Sequence, residues 1–188
     1  MTDLHLAQEP QADALISSDF LALMIGMVLD QQITIEKAFR GPFDLSARIG
    51  HMPTAAEIAS MDPHKMAEIF KGPPALHRYH GSMASRVQSF CQMIVDQYNS
   101  DCENIWKDVK SADELVKRVK ALPGFGDSKA KIFVALLGKQ LGVQPNKWQE
   151  VSKPFGDEDS HLSVADIVDA ESLAIVRANK KAAKAGRK

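Results

Sequence analysis

The segment richest in chemistry is Glu114 to Leu137, ELVKRVKALPGFGDSKAKIFVALL. In it, Leu122-Pro123-Gly124-Phe125-Gly126 separates two stretches whose apolar residues fall at helical spacing. Pro123 ends the first helix, and Gly124 and Gly126 permit positive φ or the close approach of another backbone. Phe125, between them, can pack inward and lock the turn. The second helix starts directly after Gly126, so its first amides have no partner within the helix. Together with the helix dipole they form an anion site. Gly126 has no side chain to keep a phosphate away. Such a device grips a nucleic-acid backbone without reading its sequence. A plain αα-hairpin with a glycine turn shares this outline, but a five-residue turn between two amphipathic helices favours the phosphate-binding reading.

Other residues carry chemistry less distinctly. Asp30 closes the apolar run FLALMIGMVL, and Glu150, Asp157, Glu158 and Asp159 follow late in the chain. Each acid also reads as a solvated surface group. Asp30 stands apart because it ends a buried helix, although it could equally cap the next one. Gln31 and Gln32 could reach toward a base or a groove, or could simply cap helix ends. Tyr79 and Trp148 could stack on a base, or fill core and rim. His77 and His80 would share a face only in a helix. They follow Gly72-Pro73-Pro74, so they read as solvated loop histidines and a poor metal site.

The elements that must position these residues are helical. No run of alternating β-branched residues is present, and the pattern predicts an all-α chain. Residues 1–16 are ambiguous. Asp19 caps a helix to about Gln32 that is apolar nearly all round and therefore buried. A second helix runs from Thr34 to Arg40 and stops at Gly41-Pro42. Thr54 to Glu57 and Ser111 to Glu114 read as capping boxes, and Asp62-Pro63 opens a further helix. Ser82 to Tyr98 is long and amphipathic, and Asp101 to Val109 is short. Asp127 to Leu141 follows the glycine turn; Ser163 to Ala170 and Glu171 to Lys184 close the pattern. Residues 178–188 read as a basic, frayed tail.

The chain has 188 residues, 45% hydrophobic and 25% charged, which suits one globular domain, or two small lobes sharing a cleft. Its net charge is −1, so any contact with nucleic acid needs a local basic patch. Two cysteines, Cys91 and Cys102, are too few for a four-cysteine cluster and read as free thiols. The N-terminus lacks a signal-peptide pattern and the longest apolar run is too short to span a bilayer. The expectation is a cytoplasmic monomer with no membrane contact.

The order of these features resembles a known group. LPGFG followed by a helix is similar to the helix-hairpin-helix of the HhH-GPD DNA glycosylases, here around residues 113–138. FLALMIGMVLDQQIT resembles the early buried helix of that superfamily, and Gly81-Ser82 with Arg86 its long middle helix. The resemblance covers about residues 19–146. The patterns DQQ, AFRGP, LPGFG and VALLGK place it nearest an uncharacterised, mainly actinobacterial subfamily. It implies a two-lobed helical fold, a double-stranded DNA partner that is damaged or distorted, and a role in base excision repair. DNA contacts would come from Gly124, Phe125, Gly126, Ser128, Lys129, Gln31 and Gln32. The carbonyls of Lys120, Leu122 and Phe125 match positions that hold a monovalent cation. No other cofactor is implied, since the four late cysteines of the iron–sulfur members are missing.

The chemistry of the superfamily is where the sequence departs. An aspartate that stabilises the oxocarbenium-like transition state would fall at Asn146, which cannot ionise, or with a shift of one at Pro145 or Lys147, neither of them a carboxylate. The lysine that forms a Schiff base falls at Ser128; Lys129 is adjacent but turned by about 100° on a helix. Asp127 adds a negative charge where a phosphate should dock, which Lys129 and Lys131 could offset. Three functions fit these residues. The first is a DNA-binding protein of glycosylase descent without base excision. The second is a monofunctional N-glycosylase using a displaced acid, Asp30 or Glu150. The third is a protein-interaction module that keeps the fold alone.

Overall fold

The computed structural model describes residues 3–186. Among them are ten α-helices, two short 3₁₀ turns and no strand, so the chain is all-α as its periodicity requires. The helices are α1 (Pro10–Ser18), α2 (Phe20–Leu29), α3 (Ile35–Ile49), α4 (Ala55–Ser60), α5 (Pro63–Lys71), α6 (His80–Tyr98), α7 (Ala112–Lys120), α8 (Asp127–Gln140), α9 (Trp148–Val151) and α10 (Ala170–Ala185).

α2 is the buried axis of the fold. Asp19 opens it by accepting the Ala22 amide at 3.0 Å, and every residue from Ala22 to Leu29 is buried. α3 packs on it through two reciprocal large-on-small contacts. The Phe39 ring occupies the space over Gly26, where a Cβ would come within 2.6 Å of it. Leu29 fills the space over Gly41 in the same way, 2.5 Å from where a Cβ would sit. These contacts explain why α3 does not stop at Gly41-Pro42, as its sequence suggests. Pro42 removes one backbone hydrogen bond, a cost of about 3 kcal/mol in a helix interior. Burial of Phe39 and Leu45 on the same helix is of comparable size or larger. α3 ends instead at Gly50, in the left-handed conformation.

α4 and α5 pack on α6, and α7 packs on α8. Thr54 and Glu57 form a full capping box. At Ser111 only half of the expected box forms: Ser111 accepts the Glu114 amide, while the Glu114 carboxylate turns to the Lys110 amide. The far end of α8 is covered by the Trp148 indole, packed on Gly138, and by the turn at Val164–Asp166. Gln140 fixes that turn by donating to the carbonyls of Val164, Ala165 and Ile167.

Three further expectations need correction. The helix expected over Asp101 to Val109 is a 3₁₀ turn, Cys102–Ile105, and that over Ser163 to Ala170 shrinks to Val164–Asp166. The N-terminal stretch, ambiguous in sequence, buries Leu4, Leu6 and Ala7 without regular structure before α1 and so corrects nothing. The basic tail is ordered helix as far as Ala185, because Leu173 and Val176 anchor α10 in the core. Met1, Thr2, Arg187 and Lys188 lie outside the described residues.

Candidate functional site

The glycine turn is built as its sequence requires. Leu122 and Phe125 are buried, and the Phe125 ring packs against Phe90 and Phe133. The Phe125 amide donates to the Leu122 carbonyl at 3.0 Å, which closes the turn. Gly124 has φ +89, and a Cβ there would press on Arg86 Cδ at 3.1 Å and Val28 Cγ1 at 3.2 Å. Gly126 differs: it is exposed, its backbone is extended, and nothing lies within 4 Å of where a Cβ would sit. No side chain caps the first turn of α8. The first amides of α8 therefore have no side-chain acceptor at the positive end of the helix.

Asp127 does not oppose this arrangement. Its carboxylate pairs with Lys120 at 3.1 Å and Lys131 at 3.5 Å, and the Lys120 hydrogen bond is the chief cause of its lowered pKa. Lys131 acts as expected; Lys129 does not, because it points elsewhere. Ser128 is exposed, and it is Lys129 that lines the neighbouring cleft. The 100° rotation that counted against Lys129 is thus what brings it to the cleft wall. Its Nζ donates to the Val28 carbonyl at 3.4 Å, and burial pushes its pKa down to about 8, with Asp30 opposing that fall.

The cleft has a volume of about 940 Å³ and opens beside the hairpin, where α2 ends. That end is abrupt. The Gln31 amide donates to the Leu29 carbonyl at 2.7 Å, making Asp30 (φ −71, ψ 70) the apex of an inverse γ-turn. Gln32 follows at φ +55, a left-handed conformation that a non-glycine residue adopts at a cost of order 1 kcal/mol. His77 secures the turn from beneath. Its Nε2 donates to the Gln31 carbonyl at 2.9 Å, and its Nδ1 accepts the Tyr79 amide at 3.0 Å. These partners select the neutral tautomer with its proton on Nε2. Burial lowers the pKa further in that direction. His77 is fully buried, so the expectation of a solvated loop histidine is corrected, and neither of its nitrogens is free for a metal.

The two glutamines stand in different surroundings. Gln31 is fixed: its Nε2 donates to the Val28 carbonyl at 3.0 Å and its Oε1 accepts from Arg86 at 3.1 Å. Gln32 is exposed at the rim, where its Oε1 accepts the Tyr79 hydroxyl at 3.1 Å. Tyr79 is 44% exposed beneath the Arg78 guanidinium, 5.0 Å from the ring centroid. Trp148 is not available for stacking on a base, since it covers Gly138.

Asp30 lines the cleft and does not cap α3; that role belongs to Thr34, which accepts the Lys37 amide. Burial raises the Asp30 pKa, while Lys180 and Lys129 act through space to lower it. Asn146 and Glu150 are not brought to the same place. Both are exposed, and α9 is held at the Gly138 end of α8, about 13 Å along the helix from Lys129. Of the cation-binding carbonyls implied by the resemblance, that of Leu122 already accepts the Phe125 amide. A carbonyl oxygen keeps a second lone pair, so this hydrogen bond does not by itself remove Leu122 from such a set.

Beyond Lys129, the basic walls of the cleft were not foreseen. Arg78, Lys129, Arg177, Lys180, Lys181 and Lys184 line it, with Asp30 the one carboxylate among its lining residues. Four of these cations come from α10. Their spacing of three, one and three residues was visible in the sequence as a single helical face, but a stretch rich in Lys and Ala at a chain end reads equally as a solvated terminus.

An all-α fold with an exposed glycine hairpin beside a basic cleft is the outline of a helix-hairpin-helix repair protein. The chain matches the HhH-GPD superfamily of base excision DNA repair proteins over residues 25–186 and belongs to it. That span takes in α10, beyond the limit near residue 146 expected from motifs. No curated protein and no solved structure matches the chain. Among the described residues no single helix is long and apolar enough to cross a membrane.

Proposed function

We propose that this protein binds damaged or distorted double-stranded DNA, docking the backbone on the α7–α8 hairpin and receiving an extrahelical nucleotide in the adjoining cleft. The observation that carries this reading is the exposed, uncapped start of α8 at Gly126, next to a cleft whose α8 wall carries Lys129. A phosphate placed there meets free amides and the helix dipole together. A potassium-like ion on the carbonyls of Lys120, Leu122 and Phe125 would add positive charge to the same edge. Gln32 and Tyr79, exposed at the rim, suit contact with the strand around a displaced base. The cations of the cleft supply the local basic patch that a net charge of −1 makes necessary for contact with nucleic acid. Gel-shift titration at low salt against duplexes with an abasic analogue or a mismatch tests the reading. Retention of the distorted duplexes over an intact one supports it, and no binding to any duplex ends it.

Asp30 favours a second reading, an active monofunctional N-glycosylase with a displaced carboxylate. Its side chain lines the cleft and caps no helix, in surroundings that perturb its pKa. As a carboxylate it would stabilise positive charge at the sugar C1′ and take a proton from the water that adds there, while the C1′–N bond breaks and the base leaves with its bonding electrons and gains a proton from solvent. Duplexes carrying alkylated, deaminated or oxidised bases decide between the readings. Abasic product that disappears in Asp30→Asn supports excision; none from any substrate leaves binding alone.

A further inference from the structure

We infer that the α10 face formed by Lys180, Lys181 and Lys184 is a second phosphate-binding surface for DNA, on a different wall of the cleft from the hairpin. The inference rests on the DNA-binding reading and goes beyond it, because the hairpin alone accounts for no charge on α10. The structural duties of α10 end early. Leu173 and Val176 are its buried residues, Arg177 pairs with Glu36, and the Asn179 amide donates to the His161 carbonyl at 2.9 Å. From Lys181 to Gly186 every residue is exposed. Yet Lys180, Lys181 and Lys184 all line the cleft, together with Arg177 one turn earlier.

Like charges at three- and four-residue spacing destabilise a helix by a few tenths of a kcal/mol per pair. The helix dipole favours cations near the C-terminus, which accounts for charge in the last turn but not for its confinement to one face. Among the described residues, none of these three lysines has a carboxylate within 4.0 Å, although Asp30 lies across the cleft. A partner carrying regularly spaced anions would satisfy all three at once. Lys180 and Lys184 are about 6 Å apart along the axis, and their flexible arms can follow successive phosphates of one strand. An acidic protein segment would carry charge too, but the neighbouring amides at Gly126 select phosphate, and both walls then serve one ligand.

Fluorescence anisotropy with the full chain and a labelled duplex containing an abasic analogue tests this. The wild type and a Lys180→Gln/Lys181→Gln/Lys184→Gln variant are titrated at several salt concentrations, and circular dichroism checks that helix content is unchanged. Each phosphate contact adds about 0.9 to the slope of log affinity against log salt. Three contacts therefore make the wild type lose roughly 40-fold more affinity than the variant between 50 and 200 mM salt. A control, Lys65→Gln/Lys71→Gln/Lys107→Gln, removes the same charge at exposed positions that neither line the cleft nor belong to the hairpin. It should keep the wild-type slope. A wild type that binds, with the same slope in the α10 variant, overturns this inference and leaves the hairpin reading intact. Equal loss in the control also overturns it, since net charge then suffices. A wild type that binds no duplex at low salt defeats both.

Discussion

Lys129→Met should make the protein more stable at neutral pH while removing a cation from its site. Burial takes the Lys129 pKa from the ordinary lysine value of 10.5 down to about 8. At about 1.4 kcal/mol per pH unit, the charged form costs the fold at most roughly 3 kcal/mol. Water at the cleft mouth reduces that penalty, and Asp30 loses one of its two neighbouring cations in the variant, so a gain of about 1–2 kcal/mol is expected. For a chain of this length that raises Tm by roughly 5 °C. The sign also depends on pH. Between pH 8 and 10.5 the unfolded chain holds a proton that folded Lys129 has released, so wild-type stability rises with pH across that window. The advantage of the Met variant should therefore shrink from about pH 8 to about pH 10.5. Urea unfolding of both proteins at about pH 7 and about pH 10 measures it. A variant less stable than wild type at neutral pH, or an advantage that is the same at both pH values, would show that Lys129 is not a strained, buried cation.

Two other perturbations follow from single residues. Gly124→Ala places a side chain at φ +89 against Arg86 and Val28, and should cost about 1–2 kcal/mol while dislodging Arg86 from Gln31; chemical denaturation compared with wild type reads this directly. His77 is neutral when folded and its pKa lies below the usual 6.5, so its contribution is complete above that value and is lost as pH falls through it. The stability advantage of wild type over His77→Gln should narrow from about pH 7 to about pH 5, which thermal melts across that range would reveal.

The hairpin was legible because it is local. Pro123, Gly124 and Gly126 dictate their own backbone, and the amides they expose belong to the next few residues. The caps at Asp19, Thr54 and Asp62 were legible for the same reason. What escaped was set by contacts distant in sequence. Pro42 ends a helix by every local rule, and only Phe39 seated on Gly26 and Leu29 seated on Gly41 carry α3 through it. His77 looked solvated because the group that buries it, the turn at Asp30 to Gln32, lies 46 residues away. Counting from the glycine motif assigns the cleft to Ser128, whereas the turn of α8 gives it to Lys129. The α10 lysines were visible as a stripe, but the cleft that gives the stripe a meaning is assembled by α2, α8 and α10 together.

The most direct examination of the hairpin is Gly126→Asp. Aspartate is among the best residues at a helix start and fits the extended backbone and empty space found there. It would cap the same amides internally and set a negative charge where a phosphate must sit. The expected protein is as stable as wild type, or slightly more so, and its affinity for distorted duplex DNA at low salt falls by about tenfold or more. An equally stable variant that binds DNA as tightly as wild type would contradict the role given to these amides.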